Sequence, residues 1–112
     1  MILTSWNCTG LASKPKKLAL REMLLNSRAN ILLLQETSGN GIEVESALSA
    51  ILPDWKFSAI DSSGHSGGLD VGYREGRIKI KNQWGMKLVM GMEIQTPDFD
   101  FPITILNIYD PC

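Results

Sequence analysis

The strongest constraint on the fold is a pair of short apolar segments with a helical pattern between them. Residues 2–7, ILTSWN, have the pattern of a short strand, and residues 31–34, ILLL, form the continuous apolar run expected of a strand covered on both faces. Between them, Ser13 is a suitable helix N-cap and Pro15 suits a first helical turn. Four apolar residues of this segment share one helical face, and they are Ala19, Leu20, Met23 and Leu24. This strand–helix–strand crossover predicts two parallel strands in one sheet.

A second helix and a third strand are predicted directly after this unit. Residues 43–52 repeat apolar side chains with helical spacing, and Pro53 ends the pattern. Residues 55–60, WKFSAI, have the composition of a strand. The order βαβαβ is therefore predicted for this part of the chain.

The segment beyond residue 68 alternates apolar and polar residues, which is typical of antiparallel strands. Glu75 and Gly76 predict a hairpin turn between the first two of these strands. The last strand is expected between residues 101 and 109. We therefore predict a single α/β domain over residues 1–112, in which βαβαβ is followed by an antiparallel meander.

Polar side chains stand where the first two strands end. Asn7 ends the first strand and Glu36 ends the second. Because parallel strands bring their carboxyl ends to one rim, where α/β sheets usually place their sites, these side chains are expected close together. A carboxylate at such a rim suits a hard cation such as Mg²⁺, and an amide there can orient a phosphate or a water. The alternative is that both residues only cap loops.

The sequence GHSGG, residues 64–68, matches the G-x-S-x-G turn that presents Ser66 as a hydrolase nucleophile. That turn requires a helix after the serine, but LDVGYREG follows, which has the pattern of a strand and is a poor helix. The single histidine, His65, lies inside the same segment, so no separate base is available. These facts weigh against a serine hydrolase and favour a glycine-rich turn that leads into an antiparallel strand.

Composition limits the classes of protein further. The chain is 44% hydrophobic and 21% charged, so it is expected to fold rather than remain disordered. Its net charge of -1 lacks the basic footprint of proteins that bind nucleic acid through bulk electrostatics. Two cysteines are too few for a disulfide framework, which favours an intracellular compartment. No apolar run has membrane-spanning length, so no membrane association is expected.

Four segments, in this order, resemble the endonuclease/exonuclease/phosphatase superfamily, whose DNase I-like members share this arrangement. The first two are SWNCTGL (5–11), a strand that ends in Asn, and ILLLQET (31–37), a strand that ends in Gln-Glu. The others are SGHSGGLDVGYRE (63–75), similar to a Ser-Gly-Gly hairpin, and NIYDPC (107–112), similar to an Asn-Val-Tyr-Gly-Pro segment. The residues in these segments are most similar to those of the abasic-site-type endonuclease domains of plant non-LTR (LINE-type) retrotransposons.

The resemblance implies a four-layer α/β sandwich and Mg²⁺-dependent phosphodiester hydrolysis, with Mn²⁺ as a possible substitute. By it, Glu36 is a metal ligand, Asn7 helps to arrange metal and phosphate, and Tyr109 hydrogen-bonds the scissile phosphate. It also implies DNA as the partner and, for a retroelement, a nuclear location. Without the resemblance, Tyr109 reads as a buried aromatic residue at a sheet edge.

The resemblance also predicts that this chain is the N-terminal half of the sandwich and is inactive by itself. The second half of these proteins carries an Asp-x-Asn segment, a further aspartate and an Asp-His pair, and this sequence contains neither an Asp-x-Asn segment nor an Asp-His pair. Half a sandwich is expected to leave one inner sheet face uncovered and to self-associate through it. That face would be formed by Leu69, Val71 and Tyr73 or by Leu88, Met90 and Met92.

Two further expectations follow from this comparison. Asp70 stands where the superfamily usually has an apolar residue, and a buried, unpaired carboxylate there would be costly. The alternative function is a non-catalytic remnant or protein-interaction module that keeps the half-sandwich and binds a partner through its exposed sheet.

Overall fold

The computed structural model describes residues 1–11, 13–38, 41–60, 68–86 and 88–109. Two helices and seven strands are found in these ranges. They are β1 (Leu3–Asn7), α1 (Lys14–Ser27), β2 (Ile31–Gln35), α2 (Gly41–Ile51), β3 (Trp55–Ile60), β4 (Leu69–Arg74), β5 (Lys79–Met86), β6 (Val89–Gln95) and β7 (Ile103–Ile108).

The first sheet contains the predicted crossover. Its strand order is β1-β2-β4-β3, and β1 and β2 are parallel with Leu3 beside Ile31 and Asn7 beside Gln35. Four consecutive residues of β2, from Ile31 to Leu34, are buried, as expected for a strand with both faces covered. The parallel pairing and the buried central strand were therefore predicted correctly.

Both helices pack on one face of this sheet. Ser13 is the N-cap of α1, where its Oγ accepts a hydrogen bond from the Lys16 N–H at 3.3 Å. The buried residues Leu20 and Leu24 of α1 meet Leu48 of α2 in a core against β1, β2 and β3. In the described ranges, neither helix combines the length and hydrophobicity needed to cross a bilayer.

The second sheet, β5-β6-β7, packs on the opposite face of the first sheet. The core between the two sheets is apolar, and its fully buried members include Ile31 and Val71 from the first sheet and Met92 and Ile94 from the second. The described residues thus form three layers, with helices, the first sheet and the second sheet in that order. This is the partial DNase I-like α/β architecture expected from the sequence.

The hairpin predicted at Glu75 and Gly76 is wrong. Strand β4 is already paired on both edges, antiparallel to β2 and antiparallel to β3, so it has no free edge for β5. The turn instead carries the chain from the first sheet to the second, with Gly76 in a left-handed conformation (φ 95°). The antiparallel meander consists of β5, β6 and β7, and β5 extends to Met86.

The uncovered inner face expected for half a sandwich is also not found. Leu69 and Val71 on the first sheet and Met90 and Met92 on the second are all buried, because the two sheets cover each other. Among the exposed apolar residues, four lie together on the outer face of the second sheet, and they are Trp84, Met86, Leu106 and Ile108. Of the six residues expected on that face, Leu88 is exposed and Tyr73 is half-buried, so the two sheets cover most of the face but not all of it.

The sequence did not determine whether Asp70 is buried, and the structure shows that it is. Its side chain has no exposed surface, and neither carboxylate oxygen has a hydrogen-bond partner among the described residues. Burial, reinforced by the nearby Glu45 carboxylate on α2, raises the pKa of Asp70 from 3.8 to about 8, although the N–H groups of Ser58 and Val71 oppose the shift. Glu45 itself caps the outer edge of β3, where its Oε1 accepts from the Ala59 N–H at 2.9 Å.

The Asp70 carboxyl is expected to make stability depend on pH. The folded chain keeps its proton up to about pH 8, whereas the unfolded chain loses it near 3.8, so the folded state binds more protons between these values. The free energy of unfolding should then fall as pH rises through this window, by up to about 1.4 kcal/mol per pH unit. Urea unfolding of D70N at pH 5 and pH 8 should show this dependence removed and the variant more stable than the wild type at pH 8.

The exposed Asp54 provides the matched control for this prediction. D54N makes the same chemical change at the surface and should keep the slope of the wild type. A wild-type protein whose stability rises between pH 5 and pH 8, with the same rise in D70N, would contradict a protonated Asp70 in the fold.

Candidate functional site

Glu36 and Tyr109 meet at the rim where β2 ends. Glu36 follows β2 directly, and Tyr109 follows β7 in the other sheet. The Tyr109 hydroxyl donates a hydrogen bond to Glu36 Oε1 at 2.9 Å, although the two residues are 73 positions apart in sequence. Both side chains are half-buried. The structure thus brings two of the three predicted site residues into direct contact.

Backbone hydrogen bonds hold Glu36 in place from the side of β1. The chain beyond β1 runs along the end of β2, where the Cys8 N–H donates to the Gln35 carbonyl at 2.9 Å and the Gly10 N–H donates to the Glu36 carbonyl at 2.6 Å. Glu36 adopts a left-handed conformation, with φ 54°. Such a conformation costs a non-glycine residue about 1 kcal/mol. The hydrogen bonds on either side of it therefore fix an otherwise unfavourable backbone.

Asn7 lies at the same rim, beside Gln35, and is exposed. Its Oδ1 accepts hydrogen bonds from the N–H of Thr9 at 3.2 Å and from the Thr9 hydroxyl at 3.4 Å, which stabilises a left-handed Thr9 (φ 50°). The loop-capping role left open by the sequence is therefore filled by the amide oxygen. The amide nitrogen is the atom that Asn7 can direct to an anionic ligand.

A chain of polar side chains connects the two sheets directly behind these residues. Asn107 is buried, and its Nδ2 donates to the carbonyls of Leu34 and Asp70, both at 3.0 Å. The Gln35 Nε2 donates to Asn107 Oδ1 at 2.8 Å and to Ser5 Oγ at 3.0 Å. We refer to Ser5, Gln35 and Asn107 as the cross-sheet network.

Sequence reasoning did not find the cross-sheet network, although a signal for it exists. Ser5 precedes Asn7 by two residues and Asn107 precedes Tyr109 by two, and in a strand such pairs project on the same side. Gln35 lies beside Asn7 in the parallel register. A polar residue two positions before Asn7 and before Tyr109 is therefore a pattern that would have identified Ser5 and Asn107, whereas Gln35 would have followed from its place beside Asn7.

The neighbouring Cys8 is not a candidate nucleophile. Its side chain is buried beside the helices, and this burial raises the pKa of the thiol to about 11. The Cys8 thiol therefore stays protonated at neutral pH, whereas a thiolate is the form that attacks.

Among the described residues, no three His, Cys, Asp or Glu side chains are grouped as metal ligands. Mg²⁺ commonly uses only one or two protein carboxylates and keeps several of its waters. The half-exposed Glu36 at the rim supplies one such carboxylate, so the residues present fit Mg²⁺ bound by Glu36 together with water or ligand oxygens. Ser66, His65, Asp110 and Cys112 lie outside the described residues.

No family model and no curated protein matches the sequence. Solved structures do match in fold. The human Nocturnin catalytic domain, in a structure with bound sulfate, aligns with a TM-score of 0.71 and 14% identity over 90% of this chain and 46% of its own. An AP endonuclease from Leishmania major aligns with a TM-score of 0.68 and 19% identity over 94% of this chain and 38% of its own.

An endonuclease/exonuclease/phosphatase family protein from Bacteroides thetaiotaomicron aligns with a TM-score of 0.69 and 10% identity, over 91% of this chain and 48% of its own. The chain has the endonuclease/exonuclease/phosphatase fold. It spans less than half of the length of each of these three structures. At these identities the likeness establishes the fold, and the sequence segments described above add their resemblance to it.

Gly10 is expected to matter for the site through its backbone alone. Its φ is 86°, and a Cβ added there would meet no atom within 4 Å, so alanine would suffer conformational strain without a clash. G10A should lower the free energy of unfolding by about 1 kcal/mol. It should also move the NMR amide signals of Glu36 and Thr37, because Gly10 donates to the Glu36 carbonyl.

Gly76 is the matched control because its φ is 95° and its surroundings are equally open, but it lies at the other end of the sheets. G76A should cost similar stability and leave the Glu36 and Thr37 signals unchanged. A G10A protein as stable as the wild type would show that residue 10 is not held in the left-handed conformation.

Proposed function

We propose that this chain carries the metal- and phosphate-binding part of an Mg²⁺-dependent phosphodiesterase site of the endonuclease type, with DNA as substrate. The observation that carries the proposal is the hydrogen bond between Tyr109 and Glu36, which joins the ends of strands in two different sheets at one rim. A tyrosine that served only to fill a sheet edge would not need its hydroxyl at a half-exposed carboxylate.

Glu36 is the residue that would hold Mg²⁺ or Mn²⁺. The bound cation would polarise a phosphoryl oxygen and neutralise charge that develops on the leaving oxygen. Glu36 is suited to this role because its backbone is clamped by Gly10 and its carboxylate is oriented by Tyr109. A carboxylate that is already oriented loses less freedom when it takes up an ion.

Tyr109 and Asn7 are the proposed phosphate contacts. The tyrosine hydroxyl has a single proton, so a hydrogen bond to a phosphate oxygen would replace the one to Glu36. Asn7 would donate from its amide nitrogen, because its oxygen is occupied by Thr9. Two donors at the same rim as Glu36 would help to orient the phosphodiester for in-line attack.

The residues of three segments support a more specific assignment of the type of endonuclease. Trp6 with Asn7, Gln35 with Glu36, and Tyr109 with Pro111 follow the pattern of the endonuclease domains of plant non-LTR retrotransposons. The proposed setting is therefore a retroelement endonuclease that nicks DNA in the nucleus. With a net charge of -1, the chain would rely on local phosphate contacts and the cation rather than on a broad basic surface.

A second candidate is a non-catalytic protein-interaction module. It is favoured by the exposed apolar side chains on the outer face of the second sheet, among them Met86 and Ile108. This candidate predicts no specific metal response at Glu36, so the two functions are separated by metal titration.

E36Q is expected to remove metal binding while the fold is kept. Gln has nearly the same shape but lacks the charge that attracts a divalent cation. Titration of the chain with Mn²⁺ should broaden the NMR signals around Glu36 and Tyr109 in the wild type, and the apparent affinity should fall roughly 10-fold or more in E36Q. Any nicking of supercoiled DNA by the chain with Mg²⁺ should be lost in the same variant.

E75Q is the control, because Glu75 is an exposed carboxylate at the opposite end of β4 that faces Lys56 at 3.9 Å. It should bind Mn²⁺ as the wild type does. Equal broadening of the Tyr109 signals in the wild type and E36Q would remove Glu36 from the metal site, and no broadening in the wild type would favour the interaction module.

A further inference from the structure

The cross-sheet network of Ser5, Gln35 and Asn107 is the polar exception in an apolar core. Apart from the Tyr109–Glu36 hydrogen bond at the rim, the contact between the sheets is made mainly by apolar side chains such as Leu33, Val71 and Met92. Apolar contacts are non-directional, so by themselves they fix the distance between two sheets better than their relative position along the strands. Hydrogen bonds have defined angles and distances, so this network can fix that position.

The orientation of every amide in the network is determined by one end of it. The carbonyls of Leu34 and Asp70 can only accept, so the atom of Asn107 between them must be Nδ2. Asn107 Oδ1 then faces Gln35, which must present Nε2 to it. The second N–H of that nitrogen lies toward Ser5 Oγ. An amide is therefore required at position 107 and a donor at position 35.

The network lies directly behind the proposed site residues. Gln35 is bonded in the chain to Glu36, and Asn107 projects on the same side of its strand as Tyr109 two residues later. The hydrogen bond from Gln35 to Asn107 is 2.8 Å and the one from Tyr109 to Glu36 is 2.9 Å. Both hydrogen bonds cross from one sheet to the other at the same rim. The Gln35–Asn107 bond therefore constrains the distance between the Tyr109 hydroxyl and the Glu36 carboxylate.

We propose that Gln35 and Asn107 are positioning residues, which hold the Glu36 carboxylate and the Tyr109 hydroxyl in contact and thereby prepare Glu36 for a divalent cation. This inference rests on the proposed function for its cation and extends it to residues that touch neither metal nor phosphate. Residues that orient a metal ligand from behind typically change metal affinity by 10- to 100-fold when they are replaced.

The test uses Tyr109 itself as the probe. The chain has two tyrosines, so in a Y73F background a ¹³Cζ-tyrosine label reports on Tyr109 alone. E36Q calibrates the signal, since it removes the charged acceptor of the Tyr109 hydroxyl. Q35M keeps the length of the side chain and removes its donors without adding a charge that would itself attract cations.

In Q35M the Tyr109 signal should move toward its position in E36Q, and the dissociation constant for Mn²⁺ should rise roughly 10-fold. N107L should produce the same changes if it folds, and Q35M does not depend on that outcome, because Gln35 is only half-buried. Q95M is the matched control, since Gln95 is exposed at the far end of β6. It should leave both the Tyr109 signal and the Mn²⁺ affinity unchanged.

A purely structural role would lower the free energy of unfolding in Q35M but leave the Tyr109 signal and the Mn²⁺ affinity of the folded protein as in the wild type, and this result would overturn the proposal. If the wild type binds no Mn²⁺, the metal assignment of the proposed function fails. The Tyr109 signal then decides alone, because its displacement in Q35M supports positioning and its absence refutes it.

Discussion

The parallel pairing of β1 with β2 is the constraint on which the site depends. It places Asn7 beside Gln35, so that both strands end at the same rim of the sheet. The segment after β1 can then donate from Cys8 and Gly10 to the carbonyls of Gln35 and Glu36. These hydrogen bonds hold Glu36 in a left-handed conformation that it would not adopt alone. In an antiparallel pairing, the carboxyl ends of the two strands would lie at opposite ends of the sheet.

Local signals allowed much of the fold to be predicted from the sequence, and partner choice is where prediction failed. The Ser13 cap, the buried β2 strand and the parallel crossover depend on neighbouring residues and on the handedness of short connections. The hairpin at Glu75 and Gly76 failed because alternation shows that a segment is a strand but not which strand it pairs with. Strand β4 lies between β2 and β3 and pairs with both of them, and no residue of β4 indicates this pairing in the sequence.

The candidate site residues could be predicted to a similar extent. Asn7 and Glu36 were predicted because strand ends of a crossover share a rim, and Tyr109 was predicted only through the resemblance to a family. Gln35 and Asn107 were missed because their hydrogen bond joins residues 72 positions apart, across two sheets whose mutual packing the sequence does not reveal. The expectation of an uncovered inner face was made without knowledge of how the two sheets pack together. Apolar alternation identifies a buried face but not the element that covers it.

Two unfavourable features of this fold, at Glu36 and at Asp70, differ in how the structure accommodates them. The left-handed backbone of Glu36 is held by a hydrogen bond from the Gly10 N–H, and its carboxylate accepts one from the Tyr109 hydroxyl, so the cost is offset where it arises. The Asp70 carboxylate has no such partner in the described residues, and only its main-chain carbonyl is used, by Asn107. Strain that is locally supported is typical of a functional site, whereas an unsupported buried acid lowers stability. The comparison favours Glu36 over Asp70 as the carboxylate that this fold is built to present.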